Sequence, residues 1–142
     1  MIKVLVVDDQ AVLRLLLATH LKNHYHVQCV EADSAEQAIF VLKTSSFDLI
    51  ISDQWMPKGN GTEIAEYLKE SGTTTPFILF TSDKSFNFPN LVLKDNYTRL
   101  FKVMEDFGFF SKRSSHGQTE HCHNRTFKIY ENHSPSAWDQ PG

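Results

Sequence analysis

No stretch of this 142-residue chain approaches the roughly 20 consecutive apolar residues that a helix needs to span a bilayer, so a membrane partner is not expected. Net charge is also small. The 14 Lys and Arg set against 17 Asp and Glu leave −3, with a pI near 6.1. So balanced a surface exerts no general pull on nucleic acid or on an anionic membrane. Cysteine is scarce: Cys29 lies in an apolar segment and Cys122 in a polar one, which argues against a disulfide framework. The N-terminus enters an apolar run with no cationic segment or small-residue cleavage site ahead of it. A secretory signal is therefore not expected, and a cytoplasmic location is.

What the chain does have is enough apolar residue, 41%, for one core. Short apolar runs alternate with helical periodicity, which predicts an α/β fold with a parallel sheet covered on both faces. Ile2 to Val7, His26 to Val30, Asp48 to Ser52, Phe77 to Phe80 and Leu91 to Leu93 read as the five strands. Helices are expected over Ala11 to Lys22, from a cap at Ser34 to about Thr44, over Thr62 to Glu70 and over Tyr97 to Phe107. The first helix carries an apolar stripe of Val12, Leu13, Leu16, Leu17, His20 and Leu21.

Chemistry-bearing residues gather just past these runs. Asp8 and Asp9 follow Val4-Leu5-Val6-Val7, Asp53 follows Leu49-Ile50-Ile51-Ser52, Thr81-Ser82 follows Phe77-Ile78-Leu79-Phe80, and Lys94 follows Leu91-Val92-Leu93. In parallel strands all these ends share one edge, where a ligand site belongs. Clustered carboxylates repel unless a cation compensates them, and an oxygen-only set suits a hard divalent ion such as Mg²⁺. Such a site, with one ammonium, supplies the positioning and charge neutralisation that phosphoryl transfer needs.

The ordered set resembles the receiver domain of bacterial two-component response regulators. It comprises Lys3 to Asp9, Asp48 to Pro57 with Gly61, Thr75-Pro76 through Thr81-Ser82, and Lys94, and the resemblance covers about Met1 to Phe110. It implies a doubly wound, flavodoxin-like five-stranded sheet in the order 2-1-3-4-5, occupying residues 1–113. It further implies that Asp53 accepts a phosphoryl group from a histidine kinase or histidine phosphotransfer protein. Asp9 and Asp53 would hold Mg²⁺ directly, Asp8 largely through water, and the backbone carbonyl of Trp55 would add a ligand. Thr81 and Lys94 would bind phosphoryl oxygens. The implied role is a cytoplasmic signalling protein rather than an enzyme, acting on an unidentified downstream protein or through a homo-oligomer.

Each residue has a plainer reading. An isolated aspartate after a strand often only starts a turn or caps a helix, and Lys94 alone would be a surface charge. The combination raises them together. His20, His24 and His26 have no partner at metal spacing and are assigned no role. A phosphatase of the haloacid dehalogenase type would need a second Asp two residues after the first, but Gln10 and Ala11 stand there.

The pattern also departs from the family. Twelve residues separate Thr81 from Lys94, where a helix of about three turns is usual, so the fourth helix is expected to be shortened or missing. Leu91 stands where an aromatic that changes rotamer is usual, and Asp95 where proline is. The alternative is thus a divergent receiver that binds partners without phosphorylation. The aromatics Phe86 and Phe88 in the shortened segment should need a cover, either the tail around Phe127 and Ile129 or a second copy. Residues 114–142 read as a polar tail too short for a DNA-binding domain, with one added strand near 125–131. Its His116, His121, Cys122, His123 and His133 are too irregularly spaced for a regular zinc site.

Overall fold

In the computed structural model, residues 1–112 are described. Expectations about the tail, its added strand, its histidines and Cys122 lie outside them. Among the described residues nine elements follow in order: β1 (Ile2–Val7), α1 (Ala11–His24), β2 (Val27–Ala32), α2 (Ala35–Leu42), β3 (Leu49–Ser52), α3 (Gly61–Glu70), β4 (Phe77–Thr81), β5 (Leu91–Leu93) and α4 (Tyr97–Asp106). All strand pairs are parallel, in the order β2-β1-β3-β4-β5. Strands β1, β3 and β4 are almost continuously apolar because helices cover both their faces. One core cluster, including Val4, Val6, Ile51, Leu100 and Met104, lies beneath α1 and α4. The other, including Leu5, Ile50, Ile64, Leu68 and Phe77, lies beneath α2 and α3.

Every boundary falls within two residues of expectation, and the two-residue extensions of β2 and α1 have causes. Strand β2 runs on to Ala32 because β1 pairs with it along its whole length, Val7 opposite Ala32. Helix α1 runs on to His24, whose Nδ1 lies 3.0 Å from the His20 carbonyl and whose ring packs against Phe101. His20 itself stacks on Tyr97 with centroids 3.8 Å apart. The apolar stripe of α1 is corrected: Val12 is 75% and Leu16 45% exposed, while Leu17, Ala18 and Leu21 are buried. Leu13, Leu16 and Leu17 line a small cavity with Asp8, Asp53 and Lys94, so the first turns of α1 border the strand-end site rather than the sheet's core.

No helix separates β4 from β5. Instead the segment turns back on the domain, with Asn90 at φ 60 closing the last turn before β5. Phe86 and Phe88 are half-buried against the second core; Phe88 meets Phe77 edge-on at 5.9 Å and Phe86 meets Trp55 at 5.7 Å. These aromatics are therefore partly covered by their own domain, and the expected cover by the tail around Phe127 and Ile129 lies outside the described residues. Among the described residues no helix is long and apolar enough to cross a membrane.

Candidate functional site

Parallel pairing brings the predicted residues to one edge. The Asp53 amide donates to Val7 O at 2.9 Å and the Lys94 amide to Thr81 O at 3.0 Å, so each extends the ladder one step past its strand. The side chain of Lys94 reaches back across the sheet. Its Nζ lies 2.7 Å from Asp8 Oδ2 and 3.0 Å from Asp53 Oδ2, bridging two buried carboxylates. Asp9 is exposed, and one oxygen from each of Asp8, Asp9 and Asp53 lies within 4.8 Å of the others. Two oxygens on opposite sides of one Mg²⁺ are about 4.2 Å apart, given bonds of about 2.1 Å. The all-oxygen donor set and its span fit that ion after a small adjustment.

The remaining oxygens are also held. Asp8 Oδ1 accepts from the Gln10 amide at 2.9 Å, and Asp53 Oδ1 from the Gln54 amide at 2.7 Å. Burial pushes the Asp53 carboxyl above its ordinary pKa; the bonds from Lys94 and Gln54 offset this in part, while the nearby Asp8 adds to it. Burial works against the Lys94 ammonium, but the Asp8 and Asp53 carboxylates outweigh it and hold its pKa above the usual lysine value. The site is thus a like-charge pair fixed around one ammonium.

Thr81 is buried at the end of β4, where its Oγ1 accepts from the Asp83 amide at 3.3 Å. Trp55 turns its indole outward, 54% exposed, and Nε1 donates to Asp83 Oδ2 at 2.9 Å. Two residues were not singled out from sequence. Arg14 donates Nη1 to Asp8 O at 2.6 Å and pairs Nε with Glu31 at 2.8 Å, tying α1 and β2 to the end of β1. It was legible only as a cation among the apolar residues of the first turns of α1. Gln54 is 1% exposed and bonded to the first turn of α3, and nothing in its neighbours in sequence marks an amide for burial.

A family model for the response regulator receiver domain matches residues 4–102. The chain is 36% identical over 81 residues to the transcriptional regulatory protein ResD of Bacillus subtilis, covering 56% of this chain and 32% of ResD. It is 35% identical over 80 residues to the autoinducer 1 sensor kinase/phosphatase LuxN of Vibrio harveyi, covering 56% of this chain and 9% of LuxN. The chain therefore spans about a third of one relative and under a tenth of the other. Among solved structures it is similar to the response regulator TrrA of Thermotoga maritima in complex with Mg²⁺-BeF. That match has a TM-score of 0.69 and 26% identity, and covers 74% of this chain and 97% of the other. It is also similar to the chemotaxis response regulator CheY4 of Vibrio cholerae, with a TM-score of 0.65, 25% identity and the same two coverages.

Proposed function

The chain belongs to the response regulator receiver family, and from that premise we propose that it accepts a phosphoryl group on Asp53 and passes the signal on by binding another protein. The donor is a phosphohistidine on a sensor histidine kinase or histidine phosphotransfer protein. The observation that carries this reading is the Lys94 ammonium, held against Asp53 Oδ2 at 3.0 Å inside a cluster of three carboxylates. An Asp53 oxygen attacks phosphorus as the bond from phosphorus to the imidazole nitrogen breaks, and the imidazole leaves with its electron pair. Lys94 follows the charge onto the phosphoryl oxygens, with the Thr81 hydroxyl and the amides after Asp53 and at Ser82 as further donors. Asp9 and Asp53 would hold Mg²⁺ directly, Asp8 largely through water, and the Trp55 carbonyl would complete the protein's ligands. When bound, the ion supplies further neutralisation of phosphoryl charge. The Mg²⁺-BeF complex of TrrA supports the same use of this edge.

Receiver domains are signalling modules, and no turnover of its own is assigned to this chain. The test is incubation with acetyl phosphate and Mg²⁺ followed by intact mass measurement. The parent should gain one phosphoryl group and Asp53→Asn none. Equal labelling of the two would refute the assignment. A second reading, a module that binds its partner without phosphorylation, is favoured by the absence of a helix between β4 and β5 and by Leu91 at the start of β5. It is distinguished by partner binding that is unchanged in Asp53→Asn.

A further inference from the structure

We propose that Gln54 is a positioning residue that couples the chemical state of Asp53 to the first turn of α3, making α3 the element that reports phosphorylation. This rests on Asp53 being the acceptor. Gln54 is buried, and each of its four polar atoms is committed. Its amide donates to Asp53 Oδ1 at 2.7 Å, and its carbonyl accepts from the Gly61 amide at 3.0 Å. Its side-chain Oε1 accepts from the Thr62 amide at 3.0 Å, and Nε2 donates to Thr62 Oγ1 at 3.3 Å. One end of the residue grips the carboxylate and the other three contacts grip α3.

The joint has little slack. A methyl group at Gly61 would lie 2.4 Å from Asp53 O and 2.6 Å from Leu79 Cδ1, so α3 begins in direct contact with the acceptor's own peptide. Asn60 and Glu63 form a capping box, and Thr62 Oγ1 donates to Asn60 Oδ1 at 2.8 Å. The first turn of α3 therefore moves as a unit.

Phosphorylation changes what Gln54 holds. If Oδ2 takes the phosphoryl group, Oδ1 becomes an acyl carbonyl; if Oδ1 takes it, that atom becomes a bridging oxygen. Either is a weaker acceptor than a carboxylate, because charge-assisted hydrogen bonds are roughly twice as strong as neutral ones. The Gln54 amide must then turn toward a new partner. With no free polar atom on Gln54 to absorb the turn, the displacement passes to Gly61 and Thr62. Glu63 and Gly59 form one wall of a cavity of about 460 Å³ whose other side is Ala35, Glu36 and Ile39 of α2, so movement of this turn reshapes the α2–α3 surface. No regular helix lies between β4 and β5 to compete for the signal.

Hydrogen exchange of the full chain with and without acetyl phosphate and Mg²⁺, with intact mass on the same samples, tests this. Labelled parent should change its exchange at residues 59–64 by about fivefold, the low end of ordinary allosteric couplings. Gln54→Met and Thr62→Val, compared with the parent per labelled molecule by intact mass, should lose most of that change; using both keeps the test open if one variant folds poorly. Labelled parent with unaltered exchange at residues 59–64, or variants that keep the full change, would overturn the inference while leaving the acceptor assignment intact. Absence of label on the parent would overturn both.

Discussion

The indole Nε1 of Trp55 donates to Asp83 Oδ2 at 2.9 Å, joining the loop after β3 to the loop after β4. The Asp83 carboxylate also accepts from the Ser85 amide at 2.9 Å and Ser85 Oγ at 2.6 Å. Together Ser85 and then Trp55 hold its pKa below the usual carboxylate range. Phe86 meets the indole edge-on. In a chain without a helix between β4 and β5, these contacts fix the rim of the site.

An indole fixed on the rim, two residues after Asp53, is expected to exclude the water that would hydrolyse an acyl phosphate. Trp55→Asn should therefore lose its phosphoryl group faster than the parent, and Trp55→Phe, which keeps bulk but drops the bond to Asp83, should fall between them. Decay rates followed by intact mass decide this. Slower decay in Trp55→Asn would contradict the shielding.

Mg²⁺ should bind more weakly than micromolar, because a few carboxylates around an ion that keeps several waters make a shallow site. Asp9→Ala should weaken it most, since Asp9 is the exposed member of the cluster while Lys94 pairs with Asp8 and Asp53. Titration by Trp55 fluorescence reads the effect. An Asp9→Ala protein that titrates like the parent would remove Asp9 from the ligand set.

Metal-free stability should depend on pH through Asp53. Its folded-state pKa is raised, chiefly by burial, so its contribution is fully present below the ordinary carboxylate pKa and is lost as pH rises through the folded value. Asp53→Asn, which cannot ionise, should gain thermal stability relative to the parent as pH climbs from acid to neutral in EDTA. Added Mg²⁺ should then raise the melting temperature of the parent more than that of the variant. A variant that loses ground steadily toward neutral pH would show that the ion pair with Lys94 dominates burial.

The packing of Phe88 on Phe77 predicts that Phe88→Ala costs about 1–3 kcal/mol, less than a fully buried aromatic because the ring is half-exposed. A chain ending at Lys112 keeps every described residue of the two core clusters and should stay soluble and unaggregated in light scattering. Aggregation of that fragment would mean that the later residues cover apolar surface after all.

Much of the molecule was legible in one dimension. Five apolar runs give five strands, the central β1, β3 and β4 nearly continuously apolar because helices bury both their faces, and Leu91 to Leu93 is legible to the residue. A shortened or missing helix before β5 follows from the spacing set against the family's usual pattern, since Ser82 to Asn90 with its proline cannot hold three turns, and the structure has no helix there. The positions of Asp8, Asp9, Asp53 and Lys94 one or two steps beyond strand ends placed them on a common edge. What sequence could not decide was which partner each side chain meets there. Helical periodicity defines a face but not what lies opposite it, so the stripe that carries Val12 and Leu16 leaves both exposed at the first turns of α1. Trp55 and Asp83 stand 28 residues apart and Lys94 and Asp53 41 apart, and only the sheet order makes them neighbours. The burial of Gln54 was hidden for the same reason: its partners belong to the helix that folds back over the acceptor, and a hydrogen bond is specified by where two groups meet in space, not by their order along the chain.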